Sequence, residues 1–548
     1  MTRGYSLIQS YMKSCLRLFV HLGIFSACLL AGLGIQASPV AVNANLQIRL
    51  VLNATNSSQN VRIAKDPRNN QLYYLKINGD IYQVSLQPGN GSTSTKVYSA
   101  ADHGLSSNVE GFAIGPDGSI YVVGNITTNT TLTFARISKG VPNGSGVRVW
   151  SELARSEPYP HTQTGVFDHL FNGLIVSPDG QYLFVNSGAR TDHGEEQSNG
   201  GLYPGLRDVP LTTKIFRLPV SGSNLVLTND LAALRNAGYI FAEGVRNSFD
   251  FGFAANGDLF ATENGPDRDM SESLYWLRPG LHFGFPWHIG GADNPQQFPN
   301  YDTNTDKLLD SRYYAVTHGF YHNDPTFPPP PTNFADAVIN LGPDADSYRD
   351  PVDGTIKDAS SLGQTLSTFT AHRSPLGLVF DTVGAMANPF HNHGFVLSWT
   401  QGDPTGNTIA GPFKDASQDM LDLNLLKLGS TNYQSTTTRI VGGFSNPIDA
   451  EIIGNKIYVI EYGGSQGIWE ITFPPISHTI VISGPALDLS GAFGFNVTAT
   501  PGLIYEVDRS SDLLTWSSVT NFIAATNPFH FSEPAATDCC RFYRVVQH

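Results

Sequence analysis

Four short stretches hold the side chains that could do chemistry. GVRNSFDFGFAANGDLF (244–260) puts Arg246 and Asn247 in a turn ahead of a strand, an Asn-Gly-Asp hairpin and a second strand. That second strand runs into ATENGPDRDMSESLYWLRPGLHFGFP (261–286), an acidic glycine–proline loop carrying Gly265, Pro266, Asp267, Asp269 and Glu272. VFDHLFNGLIVSPDG (166–180) sets Asp168 and His169 immediately before another strand, and HRSPLGLVFD (372–381) does the same for Arg373. A guanidinium is permanently charged and planar, so it matches a carbonyl or carboxylate with paired donors. Backbone carbonyls and carboxylates suit a hard cation such as calcium, which accepts oxygen ligands in flexible number. Imidazole titrates near neutrality and can take a proton from a hydroxyl, with Asp168 orienting the ring or stabilising its cation. Each set also has a plain structural reading: a salt bridge for Arg246, a packed ring for His169, a solvated loop for the acids.

The elements that would position these groups come from a degenerate repeat. An alternating strand, a PDG-type turn, an aromatic-rich strand and a closing strand recur at 66–86, 110–138, 172–220, in the stretch from 244, from 373, and at 446–473. The Asp-Gly and Asn-Gly pairs fall where hairpins need positive φ. One such sheet cannot bury both of its faces, whereas six packed radially can. This predicts an all-β fold, a six-bladed β-propeller over 38–474, with the strand LQIRLVL (46–52) completing the last blade. The largest insertion, 287–370, contains the proline run 328–331 and reads as long loops over one face.

Composition agrees and sets limits. Only 15% of the 548 residues are charged, while 54 Gly and 34 Pro favour short strands and turns. Net charge is −14 with no Lys/Arg run, which argues against nucleic acid as a partner. Arg3, Lys13 and Arg17 precede an apolar run over 18–35 and small residues at Ala37-Ser38. That pattern predicts a signal peptide over 1–37, export to the periplasm or beyond, and no stable membrane insertion after cleavage. Of four cysteines, Cys15 and Cys28 lie in that segment, and Cys539-Cys540 are adjacent, so no disulfide framework is expected. After Pro474-Pro475 the repeat stops. TPGLIYEVDRSSDLLTWSSV (500–519) and RFYRVV (541–546) predict a small β-sandwich-like module over 475–548 for packing, attachment or sorting.

Over residues 60–473 the chain resembles the soluble quinoprotein glucose/sorbosone dehydrogenases. Their blade pattern runs G-x-R-N-P-x-G, PDG, T-E-x-G-P and PG-x-x-Y-G-W-P, matched here by GVRNSFD, the NGD turn, TENGP and PGLHFGFP. The resemblance implies a sugar or polyol dehydrogenase with pyrroloquinoline quinone (PQQ) and calcium, passing electrons to a periplasmic acceptor. It makes His169 the general base, and Arg246 and Asn247 the cofactor-facing pair, with Arg246 polarising the quinone carbonyl. The Gly265 and Pro266 carbonyls would hold a calcium bridging to the quinone carboxylates, with Asp269 and Glu272 as nearby acids. Arg373 would be a further cofactor contact. The chain departs from the pattern in four places. FNG (171–173) replaces GGR, so that arginine and the close glycine approach are missing. Ser248 stands where proline is usual, Ser271-Glu272-Ser273 replaces adjacent Asp-Glu, and no basic residues of the later blades are recognisable. Two other classes therefore stay open: a cofactor-less propeller that binds carbohydrate or protein, and a calcium-dependent lactonase.

Overall fold

The computed structural model describes residues 38–548 apart from 56–57, 90, 129–130, 145–146, 163–165, 333, 403–411, 413, 477–479, 500–503, 524–526, 535–539 and 548. The expected signal segment 1–37, with Cys15 and Cys28, and also Cys539, lie outside the described residues.

Six sheets, each built on antiparallel strands, follow one another along the chain. The first comprises Asn60–Asp66, Gln71–Lys76, Ile81–Ser85 and Thr93–Tyr98, and the second Val109–Ile114, Ile120–Thr127, Leu132–Pro142 and Arg148–Ser156. The third comprises Phe171–Val176, Tyr182–Ser187, Lys214–Pro219 and Ile240–Glu243, and the fourth only Phe251–Phe253, Leu259–Glu263 and Ser273–Leu277. The fifth is built on Pro375–Phe380, Gly394–Ser398, Asp419–Leu428 and Asn432–Gly442. The sixth takes Pro447–Ile453, Lys456–Glu461 and Gly467–Thr472, and is completed by Gln47–Asn53 running antiparallel to Gly467–Thr472.

The first strand of each sheet touches the first strand of the next, and that of the sixth returns to that of the first. A ring results, with these innermost strands around its axis. Side chains bind them across the seams: Ile63 N–H donates to Asp449 Oδ2 (2.9 Å) and Leu378 N–H to Asp250 Oδ2 (2.8 Å). Between neighbouring sheets lie layers of buried Val, Ile, Leu and aromatic side chains, such as the cluster of Ile63, Leu75, Phe112, Ile448 and Ile460. Each sheet thus has its two faces covered by its two neighbours, which is where most of the burial energy arises.

The missing fourth strand of the fourth sheet is covered in part by the long insertion. Val338 N–H donates to the Leu274 carbonyl (2.9 Å), and Glu272 pairs with Phe369. The insertion is not all loop. It holds the short helix Tyr314–Thr317, the hairpin Ser347–Arg349/Ile356–Asp358, and Ile339–Pro343 parallel to Asn432–Gly442.

By compactness the chain divides into Met1–Pro474 and Pro475–His548. The second unit has two three-stranded sheets, Ile482–Leu487/Phe493–Val497/Phe529–Glu533 and Ser517–Ile523/Ile504–Ser510/Phe542–Gln547. Its own small core includes Phe495, Val497, Val507 and Phe531. Among the described residues no helix is long and apolar enough to cross a membrane.

Glycines let the innermost strands approach each other. A Cβ on Gly111 would lie 2.0 Å from the Asn172 carbonyl oxygen and 2.4 Å from Val123 Cγ1. Gly111→Ala should therefore lower stability by about 1–3 kcal/mol, the usual cost of overpacking. Urea unfolding of the two proteins measures this, and equal midpoints would count against the close approach.

Candidate functional site

His169 and Arg246 stand just before the innermost strands of adjacent sheets, the third and the fourth, and the ring brings them together. Arg246 Nη1 donates to His169 Nε2 over 3.4 Å. On the other side of the imidazole, Nδ1 lies 3.2 Å from the Ala189 carbonyl, which can only accept. The proton is therefore on Nδ1, and the Nε2 lone pair faces the guanidinium. Burial, followed by the Arg246 charge, pushes the His169 pKa down to about 3, so the ring is neutral. The backbone here is strained: Leu170 takes φ 55°, which costs a branched residue free energy and is found preferentially at functional positions.

Asp168 does not orient that ring. Its Oδ2 accepts from Thr162 N–H (2.7 Å) and Thr162 Oγ1 (2.5 Å), and burial raises its pKa to about 6. The orienting role expected of Asp168 belongs to the Ala189 carbonyl.

The FNG stretch also behaves differently from the expectation. Gly173 makes the close approach thought to be missing, since a Cβ there would sit 2.7 Å from the Phe249 carbonyl oxygen. Asn172 ties the site together, donating from Nδ2 to the His169 carbonyl (3.0 Å) and to Asn247 Oδ1 (2.8 Å).

Arg246 is buried and held mainly by Asp192, to whose carbonyl Nε donates (2.7 Å) and to whose Oδ1 Nη2 donates (3.0 Å). Nη1 reaches the Asn264 carbonyl at 3.3 Å. Behind the turn, Glu263 accepts from Arg246 N–H and from Ser248 Oγ (2.7 Å). Ser248 thus uses its hydroxyl where proline would have none.

The acidic loop separates into two parts. Gly265 N–H donates to Glu272 Oε1 (3.1 Å), while Glu272 Oε2 accepts from Ser374 N–H (2.7 Å). The Pro266 carbonyl accepts from Arg268 N–H (2.7 Å). Asp267 N–H donates to Asp192 Oδ1 (3.0 Å), so this turn lies against Arg246. Asp269 is committed elsewhere: Tyr313 OH (2.6 Å), His372 Nε2 (2.9 Å) and Arg349 Nε all donate to it. Although burial opposes charge, this carboxylate holds the His372 imidazolium above the ordinary histidine range. Asp269 is therefore a structural acid and not a free metal ligand. Among the described residues no group of three or more His, Cys, Asp or Glu is arranged to hold a metal.

Arg373 also leaves the expected set. Its guanidinium donates to both oxygens of Asp419 (2.6 and 2.7 Å), to the Ala416 carbonyl (2.5 Å) and to Ser398 Oγ (3.1 Å), with Asp415 at 2.8 Å. The sequence reading missed Asp192, Glu263, Tyr313 and Arg349 as parts of this network. Nothing in the sequence spacing ties Asp192 to Arg246.

No protein-family model matches the chain, and no curated protein matches it. Solved structures similar to it include the soluble aldose sugar dehydrogenase of Escherichia coli in its apo form. That match has 13% identity and a TM-score of 0.46 and covers 78% of this chain and 99% of the other. The PQQ domain of a pyranose dehydrogenase from Coprinopsis cinerea, in its holo form, matches with 11% identity and a TM-score of 0.46, over 80% and 97% of the two chains.

The network carries a testable pH signature. Burial pushes the Glu263 pKa up to about 7, against about 4.3 for a free glutamate. Between these values the folded state holds a proton that the unfolded state has released. The stability contribution is therefore complete below the lower value and is lost as pH rises through the higher one. Glu263→Gln, permanently neutral, should remove this slope, so the stability difference between variant and wild type should grow from roughly pH 4 to pH 7. Parallel pH–stability curves would contradict the assignment.

Proposed function

We propose that the chain is an exported oxidoreductase that oxidises a hydroxyl of a sugar or polyol, using PQQ with calcium and passing electrons to a periplasmic acceptor. One observation carries this reading: a neutral imidazole presents its Nε2 lone pair to a guanidinium nitrogen 3.4 Å away. A base and an electrophile so placed can take a proton from a hydroxyl and polarise a carbonyl within one small volume.

The donor set bears on the cofactor in two ways. Arg246 Nη1 has only long contacts, 3.3 and 3.4 Å, so it has capacity for a carbonyl or carboxylate oxygen. Beside it the turn adds the carboxylates of Asp267 and Glu272, oxygen donors of the kind a hard cation takes. Arg246 and Asn247 would hold the quinone, and the Gly265 carbonyl with Glu272 would lie on the cation. When bound, the quinone supplies the two-electron acceptor that no side chain offers.

The rest is the work of this chain. His169 receives the hydroxyl proton at Nε2, while the Ala189 carbonyl keeps Nδ1–H in place and stabilises the imidazolium that forms. In the free protein burial, and after it the Arg246 charge, depress the basicity of His169. A ligand anion on Nη1 would offset the second of these causes and raise the basicity of the imidazole.

A second reading is favoured by the internal ion pairs of Arg246 with Asp192 and of Arg373 with Asp419, which suit a propeller that presents its loops to a neutral saccharide or a protein. Adding PQQ and calcium to the purified protein and following dye reduction with a sugar panel separates the two. His169→Ala should lose about 10²–10⁴-fold in turnover and still bind quinone. Arg246→Ala should weaken both. Near-wild-type turnover in His169→Ala would refute the base, and a wild type that binds no quinone would leave the binding module.

A further inference from the structure

Residues 504–519 and 541–546 have no part in the propeller chemistry, yet the fold of the second unit brings them to one place. A cavity of about 230 Å³ is lined there by Arg509, Arg541 and Trp516, with Ser510, Thr515 and Ser517 among its hydroxyl residues. Arg509 comes from the strand Ile504–Ser510, and Arg541 immediately precedes Phe542–Gln547, which pairs with it so that Ser510 faces Phe542.

Both arginines lean on one carboxylate from the other sheet. Arg509 Nη1 donates to Glu533 Oε1 (2.5 Å), Arg541 Nη1 lies 3.3 Å from Oε2, and Tyr543 OH donates to Oε2 (2.6 Å). One glutamate therefore orients two guanidinium groups. The neighbouring acid, Asp512, is taken up by its own turn, accepting from Leu514 N–H (2.9 Å), Thr515 N–H (2.8 Å) and Thr515 Oγ1 (2.8 Å). Asp508 is paired with Arg544 (2.8 Å), whose guanidinium lies over the Trp516 ring at 4.6 Å. The cavity is thus the meeting point of two oriented forks, an indole and several hydroxyls, in a chain whose net charge is −14.

We propose that the second unit binds an oxyanion carried on a saccharide chain, a uronate carboxylate or a sulfate, through Arg509 and Arg541 with Trp516 against the sugar ring. Guanidinium forks match planar oxyanions with paired donors. A cavity that combines one aromatic wall with a few convergent polar groups has the make-up of a small-molecule site. With no basic run to follow a phosphate backbone, nucleic acid does not fit. Such a site would hold the chain on an acidic polysaccharide, in line with an attachment role for this unit and independently of the propeller reaction.

Calorimetry on the full chain with polygalacturonate, a sulfated glucan and neutral dextran tests this. The wild type should bind one or both acidic polymers and not dextran, and binding should weaken with added salt. The polymer bound more tightly identifies the oxyanion. Arg509→Ala and Arg541→Ala should each weaken binding at least tenfold, with Arg541→Lys in between. Trp516→Ala should weaken polymer binding while circular dichroism shows the second unit still folded, which covers the case where an arginine variant unfolds it. Quinone-dependent turnover should be the same in all of these proteins. Equal binding by wild type and Trp516→Ala, or equal affinity for dextran and the acidic polymers, would overturn the proposal. So would no binding of either acidic polymer.

Discussion

The pairing of Gln47–Asn53 with Gly467–Thr472 is the contact on which the rest of the propeller depends. Without it the sixth sheet ends on an open edge and the ring has a seam along which water can reach two apolar layers. Backbone pairing there covers the edge of Gly467–Thr472 with an outer strand, as a propeller needs. It also joins residues more than four hundred positions apart, as in the Arg49–Glu470 ion pair (2.6 Å), so closure comes late and with a large loop-closure cost. Once the ring is closed, the innermost strands have no freedom to separate, and the turns that precede them are held in fixed relation.

That rigidity explains the candidate site. His169, Arg246 and Arg373 each precede an innermost strand, yet the ring gives them different environments. The first two meet, because Asn172 and Asn247 bridge adjacent sheets and Asp192 presses on the guanidinium from the neighbouring loop. The third faces Asp419 of its own sheet and Asp415 just before that strand, and is neutralised there. A strained Leu170 and a histidine kept neutral by burial are both unfavourable in isolation. They persist because the ring over-determines them, the pattern found where a fold holds groups ready for chemistry.

The insertion over 287–370 shows the same dependence from outside the ring. Tyr313 and Arg349 come from it to secure Asp269, and Ala315 N–H donates to Asp267 Oδ2 (2.9 Å). Loops that would otherwise be exposed thus order the acidic turn beside Arg246. The fourth sheet, one strand short, is the one that accepts this cover.

The all-β architecture, the hairpin positions and the closing strand were legible in the sequence, because alternation and Asn-Gly or Asp-Gly turns are local properties of the chain. The positions of His169 and Arg246 ahead of inner strands were legible for the same reason. Which of several similar groups would meet was not. Asp269 and Arg373 look in sequence as available as Glu272 and Arg246, yet Tyr313, His372 and Arg349 engage the one and Asp419 the other. The ring orientation of His169 rests on a backbone carbonyl, Ala189, which no side-chain pattern reveals. Local patterning sets where a strand or turn forms. The partner of a buried charge is chosen only in the folded chain, because the low dielectric there makes every ion pair and hydrogen bond depend on which distant segments have been brought within reach.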